Sequence, residues 1–342
     1  MKVKAIVFPE PYKTEIMELE LPQMADSDIM VENLVSAVSV GTERWAYIGK
    51  RAEIEFPTIP GYMGIGRIIK VGKDAAAKGY KEGETVNYMN SKLPKGYNKT
   101  WMGTHLSHAI VDVCNGVDWE EGGFNCMRCE KVPANCEPEE VALTQLCAVA
   151  MRGIEMAVIP AASKVLVNGL GIIGQFAIQV CKLKGAEVTG VDISPDRLKL
   201  AEEYGANQVL DASSCDVVAE SKNITGGSGY DIIIDTASIP AVVNQILPTL
   251  KLWGKVIFQG WYPPPSALDL NVMHQKLPTC YFPCAHTGKA TQAAMQWVAS
   301  GKLNSSKMIT HHVKPEQAAD IYKMIADNNE PFLGIVFDWR NK

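Results

Sequence analysis

The sequence predicts an α/β protein with two domains, a compact β-barrel and a doubly wound parallel sheet. Residues 1–150 are rich in short β-type runs separated by glycine and proline, which is typical of a barrel. From residue 163 onward, apolar strand-like runs alternate with helical stretches. This alternation, with nearly continuous apolar strands, indicates a parallel sheet covered on both faces. A chain of 342 residues is long enough to bury two cores.

The barrel region contains the strand-like runs KAIVF, DIMVENLVSAVSV, GRIIKVG and ETVNYM. The segment PTIPGYMGIGRIIKVG carries four glycines in an apolar run, with Tyr62 and Met63 at its first turn. Glycines at this density allow either a sharp bend or the close approach of another group. This turn is therefore a candidate site as well as a candidate piece of barrel architecture.

The parallel-sheet region begins with helical periodicity over 137–160 and continues as KVLVNG, GQFAIQVCKLKG, EVTGVD and PDRLKLAEEYG. The runs DIIIDTA, AVVNQILPTL and KVIFQGW keep the same rhythm, and the last stretch returns to helix and strand, ending in GIVFDW. We therefore expect one domain over 1–136 and 288–342, and a second over 137–287.

Composition excludes several classes of function. Apolar residues make up 47% and charged residues 21%, as in ordinary globular proteins. A net charge of −5 offers no basic surface, which argues against nucleic acid as a partner. The N-terminus lacks an apolar signal region and no run approaches 18 apolar residues, so we expect a cytoplasmic protein without a membrane span. The nine cysteines are then reduced thiols or metal ligands.

The segment GLGIIG follows the strand KVLVN and opens a helix. In this context the motif G-x-G-x-x-G indicates a dinucleotide-binding turn. Gly169 allows the turn, Gly171 lets the backbone approach a pyrophosphate, and Gly174 lets helix and strand pack closely. Asp192 ends the second strand 21 residues after Gly171, where a carboxylate accepts hydrogen bonds from the adenosine ribose. This favours NAD, and Arg197 keeps NADP possible. A glycine turn without a ligand is the alternative.

The residues assigned to the cofactor lie at this turn and at the ends of neighbouring strands. They are Gly169, Gly171, Ile172, Ile173, Asp192, Ile193, Arg197, Thr236 and Gly260. Asp235 and Thr236 end the run DIIIDTA, and we expect them at the carboxyl edge of the sheet near the nicotinamide half. A plain turn at the strand end is the alternative.

Together, the β-rich region, the nucleotide unit and the C-terminal return resemble the medium-chain dehydrogenase/reductase superfamily over nearly the whole chain. The resemblance implies a GroES-like catalytic domain, a Rossmann domain that binds a nicotinamide cofactor, and a homodimer. The superfamily's zinc alcohol dehydrogenases carry a catalytic metal that polarises the alcohol oxygen. Here Val40 stands at the first ligand position, Tyr62 and Met63 replace the His and Glu of the second motif, and only Cys147 matches the later cysteine.

The resemblance therefore implies a branch without catalytic zinc. The run between ETVNYM and GTHLSHAIVDV also lacks the four cysteines of the structural zinc lobe. Short motifs are similar to the bacteriochlorophyllide dehydrogenase-like group: GTE near 42, PGY near 61, DTAS, GWY near 261, ITH near 310 and a terminal FDW.

Without a metal, hydrogen-bond donors must handle the charge and proton of the substrate oxygen. The resemblance matches Thr42 with a proton-relaying hydroxyl, and Tyr62 is the candidate donor; a packed phenol is the alternative. Glu43 orients one of them or pairs structurally with an arginine, for which Arg67 and Arg152 are candidates.

Other chemistry-bearing residues receive weaker assignments. His311 is the next candidate for the oxygen partner, with a surface histidine as the alternative, and His105 and His108 are assigned no role. Cys114, Cys126, Cys129 and Cys136 include one C-x-x-C pair, but the flanking spacings are unusual for zinc. We expect free thiols there and no metal.

The leading prediction is a zinc-independent, NAD(P)-dependent oxidoreductase acting on an alcohol or ketone. The alternatives are a zinc-free enoyl or quinone reductase that reduces a conjugated C=C bond, and a non-catalytic NAD(P)-binding protein. Thr42 beside Tyr62 favours oxygen chemistry. Six aromatic residues suggest a sizeable, partly apolar substrate, although they also suit a core: Trp45, Tyr47, Trp101, Trp261, Tyr262 and Phe282.

Overall fold

The computed structural model describes residues 1–99, 103–116, 129–262 and 264–340. Its contacts divide the chain into two compact units. The first, which we call the mixed-sheet unit, comprises Met1–Gln145 and Thr287–Lys342. The second, the parallel-sheet unit, comprises Leu146–His286.

The mixed-sheet unit is built on one seven-stranded sheet and two two-stranded sheets. Its strands are β1 (Lys2–Val7), β2 (Glu15–Glu20), β3 (Asp28–Ala37), β4 (Thr58–Ile59), β5 (Met63–Val71), β6 (Thr85–Tyr88), β7 (Asn98–Lys99), β8 (His108–Asp112), β9 (Cys129–Lys131), β16 (Ile309–Val313) and β17 (Gly334–Asp338). The large sheet runs β16-β17-β3-β5-β6-β9, and β8 also pairs with β3. The C-terminal strand β17 therefore lies antiparallel beside β3, whose end leads into the candidate site.

The described residues of this unit also form helices. They are α1 (Val40–Tyr47), α2 (Lys73–Ala77), α3 (Pro138–Val141), α10 (Gly288–Ala299) and α11 (Ala318–Asp327), with three-residue 3₁₀ turns at Ser306–Met308 and Pro315–Gln317. Helix α4 (Thr144–Ala157) begins here and continues into the parallel-sheet unit.

An aromatic cluster forms the part of the core that lies beneath α1 and α11. The Tyr322 ring meets Phe8 edge-on with centroids 4.7 Å apart and stacks with Tyr47 at 5.7 Å. Tyr322 and Phe8 are fully buried, and Phe337 of β17 joins the same cluster. This packing fixes the position from which the Tyr322 hydroxyl reaches the candidate site.

The parallel-sheet unit contains six parallel strands in the order β12-β11-β10-β13-β14-β15. The strands are β10 (Lys164–Asn168), β11 (Glu187–Asp192), β12 (Gln208–Asp211), β13 (Tyr230–Asp235), β14 (Leu250–Phe258) and β15 (Thr279–Tyr281). The helices are α5 (Ile172–Leu183), α6 (Pro195–Glu203), α7 (Val217–Thr225), α8 (Pro240–Ile246) and α9 (Leu270–Lys276), with a 3₁₀ turn at Leu247–Thr249. This is the 3-2-1-4-5-6 order of the doubly wound nucleotide-binding fold, whose crevice lies at the carboxyl ends of the strands.

Within the described part of the chain, none of the helices has both the length and the apolar character needed to cross a bilayer.

Candidate active site

A pair of hydroxyl groups lies at the glycine turn that precedes β5. The Tyr62 hydroxyl and Ser39 Oγ are 2.7 Å apart, and either can be the donor. Gly61 holds φ +92°, a left-handed conformation that side chains rarely adopt, and so turns the chain to present Tyr62. Ser39 immediately precedes α1 without capping it through its side chain, which leaves the hydroxyl available to Tyr62.

The protonation of Tyr62 follows from this environment. Burial of the phenol raises the pKa of Tyr62 to about 12, although its hydrogen bonds with Ser39 and Thr42 act in the opposite direction. The nearby Glu43 carboxylate raises the pKa further. Tyr62 therefore carries its proton at neutral pH and serves as a hydrogen-bond donor. The structure thus places three hydroxyl groups, those of Ser39, Thr42 and Tyr62, in one cluster.

Glu43 of α1 is 1% exposed and accepts hydrogen bonds from three donors. Its Oε1 accepts from the Ser39 backbone N–H at 2.7 Å. Its Oε2 lies 3.0 Å from His105 Nε2 and accepts from the Tyr322 hydroxyl at 2.5 Å. The same carboxylate and burial raise the pKa of Tyr322 far above its ordinary value, so that phenol also keeps its proton.

Arg67, one of the two candidate arginine partners, does not pair with Glu43, because it is exposed on β5 whereas Glu43 is buried. The side-chain donors that the structure brings to Glu43 are His105 and Tyr322. The sequence predicted an arginine as the structural partner, whereas the structure gives Glu43 an imidazole and a phenol.

His105, to which sequence reasoning assigned no role, is completely buried at this site. Its Nδ1 lies 2.7 Å from Ser36 Oγ, which accepts from Trp339 Nε1 at 2.8 Å. The imidazole also meets the Phe337 ring edge-on, with centroids 5.2 Å apart. A buried histidine with both nitrogens bonded is a fixed part of a polar network. The strand-like alternation around residue 105 carried no signal of this, because every side-chain partner is distant along the chain.

The side chains at the former ligand positions do not fit a zinc ion. Zinc sites use thiolate, imidazole and carboxylate donors, whereas Val40 offers an alkyl group, Tyr62 a protonated phenol and Met63 a fully buried thioether. Cys147 is a buried thiol of the parallel-sheet unit, and burial raises its pKa well above the ordinary value. Among the described residues, no group of three or more His, Cys, Asp or Glu side chains is arranged to bind a metal.

The remaining weaker assignments are placed as follows. Cys114, Cys129 and Cys136 are free thiols, whose pKa values burial raises, while Cys126 lies outside the described residues. His311 is partly buried on β16, with its Nδ1 2.8 Å from the Thr310 hydroxyl.

The expected substrate-lining aromatics divide between several environments. Tyr47 belongs to the buried aromatic core and Phe282 is 65% exposed. Trp45 lies beneath the Arg44 guanidinium. Trp101 lies outside the described residues, and Tyr262 is placed with the nucleotide site below.

The nucleotide turn lies between β10 and α5. Gly169 has φ +83°, and a Cβ on Gly174 would lie only 2.0 Å from the Gly169 carbonyl oxygen. A Cβ on Gly171 would meet nothing within 4 Å, so the start of α5 faces open space. A helix N-terminus with this open approach fits the phosphates of a dinucleotide. Ile172 is buried against the sheet and Ile173 is partly buried at this helix start.

Asp192 braces the turn from the end of β11. Its Oδ2 accepts from the Leu170 N–H at 2.6 Å, and its Oδ1 accepts from the Ile193 and Ser194 N–H groups at 2.8 and 2.9 Å. The Arg197 guanidinium lies 3.9 Å from Oδ2. Asp192, whose carboxylate favours NAD, and Arg197, whose positive charge keeps NADP possible, therefore lie next to each other. Ile193 is 70% exposed beside them.

A second polar cluster lies at the ends of β10, β13 and β14. The buried Asp235 accepts from Asn168 Nδ2 at 2.6 Å, from the Ser238 N–H at 3.1 Å and from the Tyr262 hydroxyl. Burial raises the pKa of Asp235. Thr236 donates to the Gly169 carbonyl at 2.6 Å. These bonds tie three strand ends to the glycine turn, so Tyr262 serves this cluster rather than a simple apolar lining.

Gly260 belongs to the same edge of the sheet. A Cβ there would lie 1.6 Å from Ser238 Oγ, so only glycine fits between the end of β14 and the turn after β13.

Comparison with known proteins places these observations in a family. A family model described as "Zinc-binding dehydrogenase" matches residues 173–300. An uncharacterized zinc-type alcohol dehydrogenase-like protein of Haemophilus influenzae is 23% identical over 340 residues, covering 98% of both chains. The L-threonine 3-dehydrogenase of Pyrococcus furiosus is 26% identical over 327 residues, covering 92% of each. The crystal structure of an oxidoreductase of unknown specificity from Escherichia coli has a TM-score of 0.86, at 20% identity over 99% of both chains.

The family model and these relatives support the predicted resemblance to the zinc-type alcohol dehydrogenase-like medium-chain dehydrogenase/reductase superfamily. The predicted α/β fold with a Rossmann domain is confirmed, and the other domain, predicted as a GroES-like β-barrel, is built on a mixed sheet. The prediction of an NAD(P)-dependent enzyme of the medium-chain dehydrogenase/reductase superfamily is also confirmed. The match at 173–300 includes none of the positions 40, 62 and 63, so the word zinc in the family's description does not bear on the turn at Gly61.

Proposed function

We propose that this medium-chain dehydrogenase/reductase transfers a hydride between a nicotinamide cofactor and an alcohol or ketone without a catalytic zinc. The observation that carries the proposal is the hydroxyl cluster at the former metal position. There, the protonated Tyr62 phenol lies 2.7 Å from Ser39 Oγ and also interacts with Thr42. Hydrogen-bond donors of this kind are what a carbonyl oxygen needs when no metal stabilises its charge.

The cofactor supplies or accepts the hydride, and the chain's own residues handle the oxygen. When the Ser39 hydroxyl donates to the phenol oxygen, the Tyr62 proton is released to point at a substrate oxygen. A phenol with a pKa of about 12 protonates an alkoxide readily but is a poor base at neutral pH. The cluster therefore suits carbonyl reduction, with Ser39 and Thr42 as the neighbouring groups that return a proton to Tyr62.

For the cofactor, we propose NAD rather than NADP. The Asp192 carboxylate lies at the corner where the ribose hydroxyls bind in this fold, and it would repel a 2′-phosphate. Arg197 at 3.9 Å reduces that repulsion, so we expect a preference for NAD rather than exclusion of NADP. The homodimer and the cytoplasmic location remain predictions.

The test uses Tyr62→Phe and Thr42→Val with NADH and a ketone or aldehyde substrate. Removing one donor from an oxyanion site typically lowers kcat about 10²–10³-fold, and we expect each variant to do so while leaving NADH affinity almost unchanged. The matched control is Tyr12→Phe, because Tyr12 is 62% exposed. If Tyr62→Phe keeps near-full activity, Tyr62 is packing, and His311 becomes the next candidate.

A conjugated enone distinguishes this function from the reduction of a C=C bond. The proposed enzyme yields the allylic alcohol, because Tyr62 and Thr42 serve the oxygen. A saturated ketone as the main product would assign the chain to the enoyl or quinone reductases instead.

A further inference from the structure

We infer that His105 is a positioning residue, which holds the Tyr62 hydroxyl in place by joining the Gly61 turn to the start of α1. The inference rests on the function proposed above, since it concerns the same hydroxyl cluster. It assigns a task to a buried histidine that does not itself face the substrate oxygen.

The first contact is with the turn. A Cβ on Gly61 would lie 2.8 Å from three atoms of the His105 ring, so the imidazole packs directly against this glycine. The backbone adds two hydrogen bonds, from the Thr104 N–H to the Gly61 carbonyl at 3.1 Å and from the His105 N–H to the Pro60 carbonyl at 3.2 Å. A shift of the ring therefore shifts the residue that precedes Tyr62.

The second contact is with α1. His105 Nε2 lies 3.0 Å from Glu43 Oε2, while Glu43 Oε1 accepts from the Ser39 N–H at 2.7 Å. Ser39 in turn places its Oγ 2.7 Å from the Tyr62 hydroxyl. One imidazole thus contacts the turn that carries Tyr62 and, through Glu43, the backbone that carries its hydroxyl partner.

Ser36 and Trp339, which lie on the Nδ1 side of the imidazole, fix the orientation of the ring. Trp339 Nε1 can act only as a hydrogen-bond donor, and it donates to Ser36 Oγ at 2.8 Å. When the Ser36 hydroxyl donates to His105 Nδ1 at 2.7 Å, the ring carries its proton on Nε2, which donates to Glu43 at 3.0 Å. Because both nitrogens are engaged and the ring is completely buried, rotation of the imidazole would break bonds at both ends.

Tyr322 provides a matched comparison. It donates to the same Glu43 oxygen at 2.5 Å, but its ring packs against Phe8 and Tyr47 in the aromatic core. Tyr322→Phe and His105→Phe each remove one donor from Glu43, and only the second also replaces the ring beneath Gly61. If His105 only donates to the Glu43 carboxylate, Tyr322→Phe and His105→Phe should lower kcat equally. If His105 also positions the Gly61 turn, His105→Phe should lower kcat more than Tyr322→Phe does.

The experiment compares full-length His105→Phe, His105→Gln and Tyr322→Phe, with His108→Phe as the control for the same substitution nearby. Benzaldehyde and NADH are the activity probes. Misplacing a reacting group by about 1 Å can cost about 10²-fold, so we expect His105→Phe to lower kcat by about that factor with unchanged NADH affinity. His105→Gln keeps a donor for Glu43 but loses the ring beneath Gly61, so it should recover only part of the loss, and Tyr322→Phe should lower kcat only a few-fold.

A second readout needs no turnover. Carbon-13 labelling of the tyrosine ζ carbons, with the Tyr62 signal assigned from its absence in Tyr62→Phe, reports the hydrogen bond between Tyr62 and Ser39. We expect this signal to move in His105→Phe and to stay in His108→Phe. An unmoved signal together with turnover equal to that of Tyr322→Phe would overturn the inference. If Tyr62→Phe is fully active, the proposed function fails instead, whatever His105→Phe does.

Discussion

Glu43→Gln removes the charge from a carboxylate that is 1% exposed and accepts three hydrogen bonds. The glutamine side chain has almost the same shape, so packing is nearly unchanged. Its single amide oxygen can keep the two donors on one side, those of His105 and Tyr322. The amide NH₂ then faces the Ser39 backbone N–H. Both groups are hydrogen-bond donors, so neither can satisfy the other.

The magnitude follows from these contacts. One hydrogen bond to a charged group contributes about 1.5–3 kcal/mol, and a buried donor left unsatisfied costs about 1–3 kcal/mol. The two terms sum to about 2.5–6 kcal/mol. For a domain of this size, each kcal/mol lowers Tm by about 2–4 °C, so we expect Glu43→Gln to unfold roughly 10 °C below the wild type.

Thermal unfolding followed by circular dichroism at neutral pH measures the effect. Glu53→Gln is the matched control, because Glu53 is partly exposed and pairs with Arg51 Nε at 2.7 Å. The Glu53 side chain is 43% exposed, so water can take the place of this single pair, and the control should unfold much closer to the wild type than Glu43→Gln. We also expect Glu43→Gln to lower kcat less than Tyr62→Phe does, since Glu43 acts through Ser39 rather than on the substrate.

Equal unfolding temperatures for Glu43→Gln and Glu53→Gln would refute this reasoning. That result would mean that Glu43 is already neutral in the folded protein, or that the three donors find other acceptors at little cost. A kcat loss as large as that of Tyr62→Phe, without a change in Tm, would instead make Glu43 part of the chemistry.

Three further predictions concern the cofactor, the metal and the pH profile. Tryptophan fluorescence titrations should show tighter binding of NADH than of NADPH, with Asp192→Ala narrowing the difference; an NADPH preference would contradict the role of Asp192. Activity should survive exhaustive chelation, because Val40 and Met63 cannot replace zinc ligands. Elemental analysis should likewise find no stoichiometric metal. One zinc per chain would point to the cysteines between Cys114 and Cys136. Burial raises the pKa of Tyr62 to about 12, so the phenol keeps its proton as the pH rises. The kcat for reduction should therefore stay level from about pH 7 to 10 and decline only above that range. A decline of kcat centred near neutral pH would exclude Tyr62 as the donor.

The nucleotide site was predictable because its requirements are local. The turn needs residues that tolerate φ +83° at Gly169 and a backbone contact of 2.0 Å at Gly174, and only glycine meets both demands. The parallel order of the strands follows from the alternation of strand and helix along the chain. The replaced ligand positions at Val40, Tyr62 and Met63 were predictable through the resemblance to the zinc alcohol dehydrogenases, because the motifs that carry it are short and local.

Only the tertiary structure decided which groups surround Glu43. His105 lies 62 residues away along the chain and Tyr322 lies 279 residues away. They meet because β17 returns beside β3 and the aromatic core holds α11 against α1. The sequence by itself determined that Glu43 and Tyr62 stand in the two motifs that resemble the zinc-ligand motifs of the superfamily, since that is a matter of residue identity. Long-range packing decides which donors reach a buried carboxylate, and the local periodicity of the sequence carries no information about that packing.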